Sequence, residues 1–142
     1  MTNEILGFFL VISGYIIGLG AVTVIDTLGF LGRKSSYWTE TTIRTHKVTK
    51  PLIWLGIFLI LIGSYFYKNL NPTLIYFYFL LILNGLFLSF YVSPILLERE
   101  KRGKEKELLP KNLQLKIVIS FIFSFIGWWG SLILFTKSSL SL

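Results

Sequence analysis

Residues 5–31 read ILGFFLVISGYIIGLGAVTVIDTLGFL, and across these 27 positions the only charge is Asp26. At about 1.5 Å per residue, a helix of this length exceeds a hydrocarbon core of ~30 Å. The stretch therefore predicts a membrane helix that tilts or emerges at one end. Working outward, three further apolar runs follow: Leu52–Tyr67, Leu74–Leu97 and about Leu115–Phe135. The second has only 16 residues, so Lys50 and Lys68 are expected to extend their charges toward the two surfaces. This pattern predicts an all-α integral membrane four-helix bundle forming one domain over residues 1–142. Its spans are expected at about 5–31, 51–68, 73–97 and 114–136, with connecting loops at 32–50 and 98–113.

The charges alternate with these runs. Of 14 Lys and Arg residues, five lie between Arg33 and Lys50 and seven between Arg99 and Lys116. Loops rich in Lys and Arg stay in the cytoplasm, so both basic loops are expected there and both termini on the non-cytoplasmic side. The sequence thus predicts a multi-pass protein of the bacterial cytoplasmic (inner) membrane. Each basic residue near anionic lipid headgroups adds about 1 kcal/mol of attraction, which makes the lipid surface an expected partner. The formal charge of +7 is a topology signal of this kind, and no nucleic-acid partner is expected. At 54% hydrophobic residues the chain is too apolar for a soluble core of this size. The N-terminus lacks the basic start of a signal peptide, and its apolar run is too long for a signal core. It is expected to remain as the first membrane helix.

The connections carry local signals. Lys68-Asn69-Leu70-Asn71-Pro72 reads as a tight turn, with Asn71 a helix cap and Pro72 at the first helical position. Tyr65, Tyr67, Tyr76 and Tyr78 are expected at the outer interface beside it. The loop from Arg33 to Lys50 has five threonines, which weaken a helical reading, though an interfacial helix or an extension of the second span stays open. In the second basic loop, Glu98/Arg102 and Glu100/Lys104 have helical i,i+4 spacing, with a break expected near Gly103. Pro94 has no N–H for the Phe90 carbonyl, so the third span should kink or loosen there.

Helices in lipid associate through small residues. Gly7, Gly14, Gly18, Ala21 and Gly29 fall within roughly 80° of arc on the first span. Gly56 and Gly63 share a face of the second, and Ser120, Ser124, Gly127 and Ser131 form a narrow stripe on the fourth. These are read as bundle seams, and a homo-oligomer or larger membrane complex using one of them stays open.

Three polar residues are candidates for function. Asp26 is the sole acid in a span, which makes it a functional candidate by default. Pairing with Arg33, Lys34 or Lys50 is its simpler reading. His46 is the only histidine. It is expected as a surface residue facing headgroups, with a proton carrier or single axial ligand as the alternative. Asn84 needs a partner such as Ser64, Ser120 or Ser124, and its alternative is a ligand contact. The absence of cysteine excludes disulfides, thiolate catalysis and cysteine-ligated metal sites. One histidine with scattered carboxylates makes no convincing metal centre. No nucleophile with an adjacent base and no phosphate loop is visible, so enzyme chemistry has little support.

The segments Gly18–Asp26, Pro51–Gly56 and Leu83–Leu88 resemble an uncharacterised family of small bacterial four-helix membrane proteins, in which Asp26 and Asn84 match family positions. The layout also resembles the group of the copper-resistance D domain and the four-helix membrane protoporphyrinogen oxidase. That resemblance implies haem or redox chemistry through histidines within the membrane. No histidine lies in an expected span here, so no cofactor is assigned, and a haem site would be lost or dependent on a partner. Three functions are weighed: a non-enzymatic accessory, assembly or scaffold component; a haem- or porphyrin-linked redox protein; and a small proton- or cation-coupled transporter using Asp26.

Overall fold

The structure is a computed structural model, and it describes residues 2–67 and 70–140. It is all-helical: α1 Thr2–Gly32, α2 Ser36–Phe66, α3 Leu74–Phe87, a π-helical turn Leu88–Val92, α4 Ser93–Lys101, and α5 Lys111–Ser139. The third span runs without a break through α3, the π-turn and α4. Among the described residues there are thus four helices long and apolar enough to cross a membrane, the pattern of a multi-pass membrane protein. Large apolar side chains lie exposed along the outside of each, among them Phe9, Ile16, Phe58, Phe79, Phe90 and Ile133. Such a surface suits lipid as the surrounding solvent. Phe8 packs on Tyr67 and Phe135, so the start of α1 and the end of α5 lie together, opposite the two basic connections.

The most extensive helix contact is α1 with α2. Its seam is glycine: a Cβ on Gly14 would lie 2.6 Å from the Gly56 carbonyl oxygen, and one on Gly63 2.7 Å from that of Gly7. Gly18 meets both Gly56 and the Trp128 ring of α5. Ser120, Ser124, Gly127 and Ser131 all turn inward on α5. Around the seam pack Val11, Tyr15, Ile57, Ile60, Leu81, Trp128 and Phe135. A second cluster of Ile43, Val92, Leu96, Leu109 and Leu113 fills the basic end.

Several expectations are corrected. The connection expected at 32–50 is helical from Ser36, and α2 continues through Pro51. Its threonine hydroxyls donate back to carbonyls four residues earlier: Thr41 to Tyr37, Thr42 to Trp38, Thr49 to Thr45. This local bonding satisfies a polar side chain on a packed helix face. Thr39 also donates to the Gly32 carbonyl at 2.8 Å, closing the turn between α1 and α2. Thus Thr39, Thr42, Ile43, His46 and Thr49 are buried in phase with Ile53, Gly56 and Ile60 further along.

In the turn expected at 68–72, Lys68 and Asn69 lie outside the described residues. Asn71 accepts the Thr73 N–H at 2.9 Å, and α3 starts at Leu74 rather than Pro72. Tyr65 and Tyr76 are exposed, but Tyr78 is buried and its phenol oxygen accepts from Ser64.

Glu98 and Arg102 do pair. Glu100 and Lys104 do not, because the helix ends at Lys101 and Gly103 takes a left-handed φ of 67°. Glu100 instead binds Lys47 at 2.8 Å, tying α4 to α2. Pro94 has its effect as expected in kind: the missing donor is accommodated by a widened π-turn over the five preceding residues, Leu88–Val92 before Ser93.

Candidate functional site

Asp26 and His46 are brought together. They line one cavity of about 50 Å³ at the junction of the two apolar clusters, with Thr42 and Lys50 from α2, Ser89 from the π-turn and Ser120 from α5. Each wall has a local cause. Asp26 follows Ile25 on the buried side of α1, near the end where α1 must turn into α2. His46 points inward because α2 begins ten residues before it and keeps the buried stripe in register. The π-turn shifts the helix register by one residue per turn, and this turns Ser89 toward the cavity while Val92 joins the basic-end cluster. Trp54 holds Ser89 in place through an indole donation of 2.9 Å.

His46 is only 7% exposed, which corrects its expected surface position. Its Nε2 is buried and has no hydrogen-bond partner among the described residues. A buried ring nitrogen without a protein partner is a position for water, and a space of this size holds a few water molecules. Asp26 forms no ion pair with Arg33, Lys34 or Lys50 within 4.0 Å, unlike its simpler reading. Arg33 stacks instead on Phe30, at 3.6 Å from the ring centre. Lys50 is directed to Ser93, whose hydroxyl lies 3.5 Å from the ammonium. A carboxylate, an imidazole and an ammonium therefore face one small cavity without neutralising one another through direct contact.

Asn84 sits on the far side of one wall. Its carboxamide oxygen accepts from Ser120 at 2.7 Å, which selects one of the three serines expected for it. Ser64 bonds Tyr78 instead, and Ser124 is fully buried with no hydrogen-bond partner for its hydroxyl among the described residues. Ser120 lines both the inner cavity and an outer groove between α3 and α5, so the Ser120–Asn84 bond is the partition between them. Lys50, Ser89 and Thr42 were not singled out as functional in the sequence. The available signal was phase: Thr42, His46, Thr49 and Ile53 continue one helical stripe across Pro51. Among the described residues no group of three or more His, Cys, Asp or Glu is placed to hold a metal ion.

Comparison with known family models, curated proteins and solved structures finds no match to this chain. The functional reading therefore rests on the geometry of the cavity.

Proposed function

We propose that this protein is a proton-handling component of the bacterial cytoplasmic membrane, with its basic end in the cytoplasm and Asp26 as the proton-carrying group. One observation carries this reading: Asp26, His46 and Lys50, from two helices, line a single water-sized cavity. An ionisable residue within a membrane helix is costly unless it has a task, and Asp/His pairs are a common way to pass protons. Lys50 favours a proton over a metal or alkali cation as the species carried. Two like charges about 4 Å apart repel by ~4 kcal/mol at an effective dielectric of about 20. A guest cation in so small a cavity has no room to avoid the ammonium, whereas a proton that adds to the Asp26 carboxylate leaves a neutral acid and occupies no space. A porphyrin-linked role fits this site poorly, because ligand pockets for molecules of that class have volumes of ~300 Å³ or more.

The test uses the full-length protein in lipid vesicles containing a pH-sensitive dye, with a potassium diffusion potential imposed. Vesicles with the protein should change internal pH at least about tenfold faster than protein-free vesicles, and Asp26→Asn should return the rate to the protein-free value. An unchanged rate in Asp26→Asn removes this reading. No movement above the protein-free rate, in protein shown to be folded, returns the chain to the accessory or assembly role. For orientation, a phosphatase that works only outside the cytoplasm should be active when fused after Leu142. A fusion active only in the cytoplasm reverses the assignment.

A further inference from the structure

The outer groove between α3 and α5 has a volume of about 490 Å³ and is lined by Leu80, Leu83, Asn84, Phe87, Lys116, Ile119, Ser120 and Phe123. Five of these eight are apolar, and the polar ones form two features, Lys116 and the Asn84–Ser120 pair, placed at different depths. At one end is Lys116, on the first turns of α5. Its ammonium lies 4.4 Å above the Tyr91 ring and donates to the Tyr91 hydroxyl. A phenol that accepts one hydrogen bond keeps its own proton to donate. The ammonium and that proton together make a two-donor site for an anionic oxygen. Further in, the Asn84 carboxamide uses its oxygen on Ser120, and its NH₂ donates to no protein group among the described residues. Ser120 follows Lys116 by one helical turn, so this amide lies about 6 Å deeper along the groove.

We infer that this groove binds one anionic diacyl glycerophospholipid: Lys116 and Tyr91 hold the phosphate, the Asn84 NH₂ donates to an ester carbonyl, and the acyl chains lie along Leu80, Leu83, Phe87, Ile119 and Phe123. The charge complementarity selects a phosphate at the Lys116 end. The spacing selects a lipid whose next acceptor follows the phosphate at about the length of a glycerol unit. The inference is independent of proton handling, since none of these residues except Ser120 faces the inner cavity. Its consequence for that cavity is positional, as the bound ester would press on the hydrogen bond that forms the shared wall.

The experiment is native mass spectrometry of the full-length protein released from detergent, titrated with dioleoyl phosphatidylglycerol or dioleoyl phosphatidylcholine. A one-to-one complex with phosphatidylglycerol should dominate. Lys116→Gln should weaken it about fivefold, the factor set by one basic residue at a lipid surface. Lys137→Gln, at the other end of α5, should leave it unchanged. Dialkyl ether phosphatidylglycerol, which lacks the ester carbonyls, should bind about threefold more weakly than the diester, and Asn84→Ala should abolish that difference. Equal binding of phosphatidylglycerol and phosphatidylcholine, or equal loss in Lys116→Gln and Lys137→Gln, overturns the site. So does displacement of the phospholipid by a neutral quinone at equal concentration. Far-ultraviolet circular dichroism matching the wild type in each variant makes any loss of binding attributable to the groove.

Discussion

Between Gly7 and Gly18, α1 meets α2 with glycine facing glycine or backbone; between Asp26 and Gly32 the same two helices meet through Asp, Thr and His. In the first region the backbones approach until a single added methyl group would collide. In the second, side chains stand between the helices and leave a cavity. The contrast separates two tasks within one helix pair. Close backbone contact gives dispersion and interhelical order where lipid offers no hydrophobic drive. Longer side chains at the basic end give up some of that contact and leave a space lined by ionisable groups. The largest effects on folding should therefore come from the seam, and the largest effects on function from the cavity.

The strongest way to break the seam is Gly56→Leu. A Cβ at Gly56 would lie 2.5 Å from the Gly18 Cα and 2.7 Å from its nitrogen, and backbone cannot rotate away as a side chain can. The variant should fail to reach the folded state, read as loss of the folded band on mild-detergent electrophoresis. A graded version compares two glycines two residues apart. Gly18→Ala drives its methyl into the Trp128 ring and should cost about 1–3 kcal/mol of unfolding free energy in mixed micelles. At Gly20 nothing lies within 4 Å, and Gly20→Ala should change stability by less than about 0.5 kcal/mol. Equal costs at the two positions would mean that α1 does not pack on its Gly18 face.

The cavity should respond in the opposite sense. His46→Leu replaces a buried ring with an unpartnered nitrogen by an apolar group of similar volume. Removing a polar group whose partner is only water is close to neutral, so stability should stay within about 1 kcal/mol of the wild type. Proton movement in vesicles should fall at least about tenfold in the same variant. A variant that unfolds while the surviving fraction keeps its rate would make His46 a packing residue and leave Asp26 alone as the carrier.

The two regions also differed in how far they could be read from the residues. Apolar runs of 16 to 27 residues are long enough to demand spans, and the Gly14, Gly18, Gly56 and Gly63 faces follow from helical arithmetic alone. The cavity was less legible for a physical reason. Threonine has low helix propensity in isolation, so Thr39, Thr41, Thr42, Thr45 and Thr49 favour a loop reading of residues 33–50. That propensity is overridden by burial against α4 and α1, which local composition does not encode, while bonds to preceding carbonyls satisfy the hydroxyls. Once that segment is helical, His46 turns inward and Lys47 reaches Glu100 at 2.8 Å. The Pro94 effect was legible in place but not in form, since a missing N–H can produce a kink or a π-turn, and neighbouring packing decides.

The finest test of the border between the regions uses two serines on one face of α5, one turn apart. The Ser120 hydroxyl donates to Asn84, and Ser120→Ala should cost about 0.6–1.7 kcal/mol, the usual range for an interhelical hydrogen bond in a membrane. Ser124 is 0% exposed and its hydroxyl has no hydrogen-bond partner among the described residues, so Ser124→Ala removes a desolvated polar atom and should cost nothing or stabilise slightly. Both can be measured by denaturant unfolding in mixed micelles against the same wild type. If Ser124→Ala costs as much as Ser120→Ala, its hydroxyl donates in the folded protein, and the neighbouring acid able to accept is Asp26. The wet region would then extend a full turn closer to Gly18 and Gly56, and Ser124 would join Asp26 and His46 as a group whose removal slows proton movement.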